Sequence, residues 1–397
     1  MKKTTQIGFI LLSFAAIIFF PLIGSWLHHN GSFPEGFFKY PMLSSLPKAP
    51  FSWPIFGVVA ASGLIIVSLY LFPSWFGFKK VPLPPKQKIK KVKWPLWFWI
   101  GVVALGTSLL LLWTKSHEPV LFLNWSDFPL FWGLVLVIDG WAYKRNGGKS
   151  LISEYPEALV GIGVSSAFGW MLFEYLNFFV DDNWYYPFGD IIDREQFLLY
   201  AIVISTGLIP LAFVFYGLFN TIPILQNRYT QGPKIIMSEN VKTIVLVISL
   251  ISLFAAGLFP NVLFFSLWLT PALVIGLVLD KVGVWTPLRS IGQGNWRPTL
   301  VFGLTYLAAG LCLECENYFS GIHLGSEVIY TQAPAYWQYS LPYVNRFHLF
   351  EMPILGFIGY IPFSLYCWVY WIAFAYMQGI PPVYYKEDRI EPNIVEA

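Results

Sequence analysis

The sequence predicts an all-α polytopic integral membrane protein with about ten transmembrane helices. Of its 397 residues, 56% are hydrophobic and only 12% are charged, and the mean hydropathy is +0.59. Soluble domains carry about 25% charged residues, so this chain has too much apolar surface to fold in water alone. Recurring apolar segments and the placement of lysine and arginine support the same fold class.

The apolar segments indicate the number of spans. A transmembrane helix needs about 20 mostly apolar residues. Ten segments approach this length, at roughly residues 6–26, 55–72, 96–113, 128–143, 158–179, 197–219, 241–259, 262–279, 299–318 and 349–377.

The basic residues indicate the orientation. With the N-terminus in the cytoplasm, twenty of the 25 lysines and arginines fall on the cytoplasmic side, as the positive-inside rule requires. The basic residues left outside are Lys39, Lys48, Lys115, Arg194 and Arg346. We therefore expect a protein of the bacterial cytoplasmic (inner) membrane with both termini in the cytoplasm.

A weak internal repeat relates residues 128–221 to residues 265–377. Each copy opens with a span ending in an acid, Asp139 or Asp280, and a glutamate follows 35 or 34 residues later. A Trp-x-Tyr element comes next in each copy, and then a Gly-x-x-Pro element. Copies that start four spans apart enter the membrane in the same direction, so the sequence predicts two parallel three-helix repeats.

The repeat divides the chain into seven regions. They are a two-span unit (1–78), a basic Pro/Lys-rich cytoplasmic linker (79–95), a third span with an outer loop (96–127), repeat 1 (128–221), a connecting span (222–264), repeat 2 (265–377) and a cytoplasmic tail (378–397). In each repeat the Gly-x-x-Pro element, with Pro210 or Pro362, is expected to kink its span.

Three glutamates are the candidate catalytic residues: Glu174, Glu314 and Glu351. An ionisable group within a span is costly and usually functional. The first two occupy equivalent places in the repeats and could face one cavity, although hydrogen bonding between helices is the alternative. Glu351, in Phe350-Glu-Met-Pro353, is expected to begin the last span, where an acid also complements the helix dipole.

Six residues near these acids are the candidate substrate-binding residues: Asn177, Asn317, Trp184, Tyr186, Trp337 and Tyr339. Each asparagine follows its glutamate by three residues, so the two share one helix face. The Trp-x-Tyr elements would form a lid over the cavity, or would instead anchor the chain at the membrane interface.

The sequence indicates no metal site and no cofactor. None of the five histidines has a metal-binding spacing, and Cys312-x-x-Cys315 lies in an apolar segment without further ligands nearby. Phosphate-binding and dinucleotide-binding glycine motifs are also absent from the sequence. The expected partners are membrane lipids and a lipophilic small molecule, and we expect no nucleic acid.

The segment WQYSLPYVNRFHLFEMPILGFIGYIPFSLYCW, from Trp337 to Trp368, carries a family resemblance. It resembles a family of largely uncharacterised bacterial multi-pass membrane proteins with a FEMP-x-LG-x-x-GY-x-PF motif. The chain is more distantly similar to the lycopene-cyclase-type membrane domain, which uses tandem three-span units and acids near a proline. That similarity implies an isomerase or cyclase in which carboxylic acids act on an isoprenoid.

Three functional hypotheses follow. The first is binding or conversion of a lipophilic, isoprenoid-like or lipid-like substrate in an acid-lined cavity between the repeats, with carboxylic acids as proton donors. The second is a proton- or cation-coupled transporter or channel, which needs a continuous polar path. The third is a non-catalytic membrane assembly protein, in which the same acids are structural.

Overall fold

The computed structural model describes residues 1–44, 50–83, 88–117, 119–180, 183–325 and 327–381. Most of the predicted cytoplasmic tail, from residue 382 onward, lies outside these described residues, as do residues 84–87 of the predicted linker.

The described chain is mainly helical. Its α-helices are α1 (Lys3–His28), α2 (Trp53–Leu71), α3 (Leu96–Trp113), α4 (Val120–Asn124), α5 (Asp127–Arg145), α6 (Leu151–Glu154), α7 (Pro156–Asn177), α8 (Arg194–Ser205), α9 (Leu208–Phe219), α10 (Pro223–Asn227), α11 (Glu239–Leu258), α12 (Ser266–Lys281), α13 (Arg297–Ser320) and α14 (Tyr360–Gln378). Short 3-10 helices occupy Pro73–Phe76, Pro287–Gln293 and Ile354–Gly359.

Eight helical segments of the described chain are long and apolar enough to cross a membrane. They are Lys3–His28, Trp53–Leu71, Leu96–Trp113, Pro156–Asn177, Arg194–Phe219, Glu239–Leu258, Arg297–Ser320 and Ile354–Gln378. The two remaining segments expected to span, 128–143 and 262–279, form α5 and α12, which are not among these eight. The fold is therefore that of a helical, multi-pass membrane protein.

Neighbouring helices form a continuous series of contacts. The order is α3, α5, α9, α13, α14, α12, α11 and α1, and α7 packs against α8, α9 and α14 at the centre. Helix α3 thus lies against α5, and α11 lies in the same way against α12.

Glycines allow α1 and α11 to cross closely. A Cβ atom added to Gly24 would lie 2.0 Å from the carbonyl oxygen of Phe254, and one added to Gly257 would lie 2.1 Å from that of Pro21. Small residues are how helices in lipid gain van der Waals contact, since lipid tails are as apolar as leucine. The first helix is therefore packed onto the bundle.

The bundle has two ends with different chemistry. At one end, which we call the basic end, Arg145 donates to Thr221 Oγ1 (2.7 Å) and Lys242 pairs with Asp280 (2.6 Å). The opposite end, the strand end, carries three two-stranded antiparallel pairs. These pair β1 (Trp184–Tyr185) with β4 (Gln338–Tyr339), β2 (Ile322–Leu324) with β3 (Glu327–Tyr330), and β5 (His348–Leu349) with β6 (Met352–Pro353).

Both Gly-x-x-Pro elements start a new helix. The chain turns at Thr206 and Gly207 between α8 and α9, and α14 starts directly after Gly359. Pro210 and Pro362 are therefore the third residues of their helices. The first N–H groups of a helix have no partner within the helix, so a proline at this position costs no helical hydrogen bond. The expected mid-span kinks are helix starts in the structure.

Glu351 does not begin a helix, and this expectation was wrong. It lies in the tight turn between β5 and β6, where Phe350 has a φ of 59°. The helical backbone begins three residues later, at Ile354. The rule that proline favours a first helical turn applies in this chain to Pro362, while Pro353 ends a strand.

Candidate functional site

The strand end brings the two Trp-x-Tyr elements side by side. In the β1–β4 pair, Trp184 lies opposite Tyr339 and Tyr185 lies opposite Gln338. Antiparallel partners are related by a local two-fold axis perpendicular to the strands, so each element meets the other in the reverse direction. This contact joins two parts of the chain, residues 96–221 with Glu174 and residues 222–377 with Glu314, which we call the two halves.

Glu174 is held by the aromatic residues of β1 and the turn that follows it. The side chain is 1% exposed. Trp184 Nε1 lies 3.2 Å from Oε2 and 3.3 Å from Oε1, and the Tyr186 hydroxyl donates to Oε1. The carboxyl group is therefore satisfied by neutral donors.

Glu314 has the corresponding partners and one more. The donors to its Oε1 are Trp337 Nε1 at 3.2 Å, the Tyr339 hydroxyl at 2.8 Å and the Tyr360 hydroxyl at 2.6 Å. Among the described residues, Oε2 has no hydrogen-bond partner. A fully buried carboxyl with all its donors on one oxygen leaves the other oxygen free to hold a proton.

The two asparagines fix the strands to the helices. Asn177 Nδ2 donates to the Trp184 carbonyl (2.9 Å), and Asn317 Nδ2 donates to the Trp337 carbonyl (2.8 Å). Asn317 Oδ1 also accepts from the Trp337 backbone N–H (3.1 Å). Both asparagines were expected to bind substrate. In the structure, their amide groups instead position the neighbouring tryptophan.

The tyrosines of the Trp-x-Tyr elements remain hydroxyl donors. Burial, and then the nearby Glu174 carboxyl, raise the pKa of Tyr186 well above its usual range. Burial and Glu314 do the same to the pKa of Tyr339. Because the hydroxyls keep their protons, they can donate to the carboxyl groups.

The two halves differ at one pair of positions. One helical turn before Glu314 stands Gly310, where an added Cβ atom would meet Tyr360 ring atoms at 2.5 Å. The residue one turn before Glu174 is Trp170. A ring from the next helix therefore reaches Glu314 in one half, while in the other half a tryptophan of the same helix lies beside its glutamate.

A cavity lies between the halves at this level. Its enclosed volume is about 80 Å³, and its unfilled space is about 700 Å³ when the open space at its mouth is included. Ten of its fifteen lining residues are aromatic: Phe131, Trp170, Trp184, Tyr186, Trp268, Tyr306, Trp337, Tyr339, Tyr360 and Phe363. Neither Glu174 nor Glu314 is among the lining residues. Both lie behind tyrosines and tryptophans that form the wall.

Asp127 is the one acid among those fifteen lining residues, and the sequence reasoning missed it. It is the first residue of α5, is 2% exposed and accepts a hydrogen bond from the Tyr200 hydroxyl. The position that corresponds to Asp127 in repeat 2 holds Trp268, so the duplication could not reveal it. An acid directly before the predicted span 128–143 was the available signal.

Glu351 belongs to a separate cluster nearer the surface. His323 Nε2 lies 2.8 Å from Glu351 Oε1, the Tyr336 hydroxyl donates to the same oxygen, and Gln338 Nε2 lies 3.2 Å from Oε2. Burial and the Glu351 carboxyl raise the pKa of Tyr336. Glu351, like Glu174 and Glu314, is not among the cavity's lining residues, so none of the three candidate acids lines the cavity itself.

Within the part of the chain that the structure describes, no group of three or more histidine, cysteine, aspartate or glutamate side chains could hold a metal ion. Cys312, Cys315 and Cys367 are free thiols. The cavity's lining residues supply aromatic rings, hydroxyl groups and one carboxyl group, that of Asp127.

Comparison with protein-family models, curated proteins and solved structures finds no match to this chain. The resemblance carried by residues 337–368, and the more distant similarity to the lycopene-cyclase type, stay predictions.

Proposed function

We propose that this protein binds, or binds and converts, a lipophilic isoprenoid-like or lipid-like molecule in the cavity between its two halves. The observation that carries this proposal is the cavity itself, whose walls are mostly aromatic and are backed by buried carboxyl groups. Apolar walls with a few placed polar groups are typical of sites for small lipophilic ligands.

Tyr360 gives the buried acid access to a bound molecule. Its hydroxyl lies 2.6 Å from Glu314, and its side chain also lines the cavity. When Glu314 carries its proton on Oε1, the Tyr360 hydroxyl can give its own proton to a bound molecule and take the Glu314 proton in return. In this proposal Glu314 is the proton source, and Glu174 holds Trp184 and Tyr186 in place. Glu351 belongs to the separate cluster with His323 and Tyr336.

The equivalent contacts of the two halves support the proposed parallel repeats. The hydrogen bond that Trp184 donates to Glu174 matches the one that Trp337 donates to Glu314, and the asparagine hydrogen bonds match in the same way. Because α3 packs on α5 as α11 packs on α12, each repeat would have a fourth helix. With α1 and α2, this arrangement gives the proposed ten spans.

An aromatic cluster weighs against the transporter alternative. Phe302 and Trp368 stack with their ring centroids 4.3 Å apart, and Tyr216 lies 5.3 Å from Trp368. These residues lie one to two helical turns from the cavity residues Tyr306 and Tyr360 toward the basic end. These buried rings lie between the cavity and the basic end, where a polar path would need polar groups.

We also propose that the basic end faces the cytoplasm of a bacterial inner membrane, because the lysines and arginines gather there. In intact cells, a membrane-impermeant thiol reagent should then label Lys39→Cys but not Lys149→Cys. Each variant is made in a background without the three native cysteines. Labelling of Lys149→Cys but not of Lys39→Cys would show that the basic end faces outward instead.

Binding of geranylgeraniol to the purified protein in dodecyl maltoside tests the proposed function. Ala335 lines the cavity, so Ala335→Phe should fill part of it and weaken binding at least about tenfold, which is about 1.4 kcal/mol. Ala61→Phe, on the exposed face of α2, is the matched control and should bind as the unaltered protein does.

Equal binding by all three proteins would place geranylgeraniol on the lipid-facing surface and overturn the cavity proposal. If the cavity binds, chromatography of the recovered ligand distinguishes conversion from binding, because isomerisation and cyclisation change retention without changing mass. A protein that binds nothing but still folds would favour the assembly role.

A further inference from the structure

We propose that the ligand of the cavity carries a positive charge: an organic ammonium group on an apolar chain, with the ammonium beside Asp127. This inference rests on the proposed function and names the class of ligand that the same cavity takes.

In the described part of the chain, four buried carboxyl groups have no basic partner: Asp127, which lines the cavity, Glu174 and Glu314, which lie behind its aromatic wall, and Glu316. Asp127, Glu174, Glu314 and Glu316 are 2%, 1%, 0% and 4% exposed. In the described part of the chain, the ion pairs of acids with lysine, arginine or histidine involve Glu239, Asp280 and Glu351 instead. The hydrogen-bond donors to the cavity acids are tyrosine hydroxyls and tryptophan indoles.

Acids elsewhere in the bundle are compensated. Asp280, at the basic end, pairs with Lys242 (2.6 Å) and Arg289 (3.4 Å). Asp139, buried in α5, accepts from Ser150 Oγ, the Ile152 backbone N–H and Trp97 Nε1. Asp280 therefore has the cations that the acids near the cavity lack, whereas Asp139 is held by neutral donors alone.

Asp127 and Glu316 are the pair most in need of a cation. Asp127 lines the cavity, and its charge acts on Glu316. Glu316 Oε2 has no hydrogen-bond partner among the described residues. A buried carboxylate that lacks a cation is costly, and a second one beside it adds repulsion. An ammonium group at Asp127 would offset both the cost of burying the carboxylate and its repulsion with a second carboxylate.

The cavity walls favour the same ligand. Trp170, Trp184, Trp268 and Tyr306 all line the space that Asp127 enters. The faces of aromatic rings attract cations, tryptophan most strongly, and recognition of quaternary ammonium groups commonly uses such rings. A neutral chain would gain the apolar contact alone, while an anionic one would be repelled by Asp127.

Three ligands with the same eight-carbon chain and different charges test this proposal: octyltrimethylammonium, octan-1-ol and octanesulfonate. Calorimetry in dodecyl maltoside, a non-ionic detergent, gives their affinities, and Ala335→Phe reports binding outside the cavity. We expect the ammonium to bind at least about tenfold more tightly than octanol and the sulfonate not to bind. Asp127→Asn should remove the preference for the ammonium over octanol. Asp139→Asn, the matched buried aspartate of α5, should keep the preference.

Equal affinity for the ammonium and for octanol would overturn this inference while leaving the cavity proposal intact, since the acids would then hold protons. If none of the three ligands binds the unaltered protein more tightly than it binds Ala335→Phe, both the cavity proposal and this inference would be overturned. The comparison of ligands on the unaltered protein is decisive even if Asp127→Asn fails to fold.

Discussion

At the scale of single residues, tryptophan and tyrosine side chains donate the hydrogen bonds that hold the buried acids in place. Glu174 and Glu314 could be predicted from the sequence, since the repeat places each near a Trp-x-Tyr element. Asp127 and the Tyr360 hydroxyl could not, because neither has an equivalent in the other repeat. Leu208 occupies the place of Tyr360 in repeat 1. Unduplicated residues make the site asymmetric, and a repeat comparison cannot show them.

Gly310 offers a test of the contact between Tyr360 and Glu314. An added Cβ atom would lie 2.5 Å from the Tyr360 ring, so Gly310→Ala should displace that ring and destabilise the protein by about 1–3 kcal/mol. Thermal unfolding in detergent measures the change.

Gly106→Ala in α3 is the control, because nothing lies within 4 Å of a Cβ atom there. It should be neutral or slightly stabilising. Equal melting temperatures for the two variants would mean that Tyr360 does not pack against Gly310.

At the scale of elements, interrupted helices position the site. The break between α8 and α9 leaves backbone groups without helical partners, and Ser166 of α7 supplies them. Its hydroxyl donates to the Ser205 carbonyl and accepts from the Ile209 N–H (2.9 Å). Tyr306 donates to the Leu208 carbonyl (3.1 Å). Irregular backbone at membrane depth is tolerated where other protein groups satisfy it in this way.

The sequence indicated where these interruptions fall but not their form. The Gly-x-x-Pro elements predicted kinks, and the structure has helix starts at both. Glu351 was misplaced because a proline two residues later is typical of a first helical turn. The backbone instead forms a hairpin there, paired from His348 to Pro353. Local proline rules do not include strand pairing, which is decided by tertiary contacts.

Adjacent serines test the role of Ser166. Ser166→Ala should destabilise the protein by about 1–3 kcal/mol, since it leaves the buried Ile209 N–H without its partner. Ser165 is also fully buried, but its hydroxyl donates only within its own helix, to Ile162 (2.8 Å). Ser165→Ala should therefore cost less, as measured by thermal unfolding. The opposite order would show that Ser166 does not stabilise the break.

At the scale of the whole molecule, the two halves meet at β1 and β4 and enclose the cavity. Composition predicted the membrane character, and the repeat predicted that equivalent acids would occupy equivalent helices. The pairing of the two Trp-x-Tyr elements with each other could not be predicted, because two-residue strands have no sequence signature of their own. The closure of the cavity by this pairing is therefore a finding of the structure.

A disulfide bond tests that pairing. Tyr185 and Gln338 are antiparallel partners, and the Cα atoms of such partners lie about 4.5–5.5 Å apart, within disulfide range. In a background without native cysteines, Tyr185→Cys with Gln338→Cys should form a cross-link detected by peptide mass spectrometry. Tyr185→Cys with Tyr330→Cys, which lies in a different strand pair, should not. Cross-linking of the second pair instead of the first would contradict the join between the halves.

The most direct test of the central claim is an experimental density map of the protein with geranylgeraniol bound in detergent. We predict ligand density between Trp184, Trp268 and Tyr306, with Glu174 and Glu314 still hydrogen-bonded to their Trp-x-Tyr residues. A map in which side chains fill this space, or in which the ligand lies only on lipid-facing surfaces, would contradict the account.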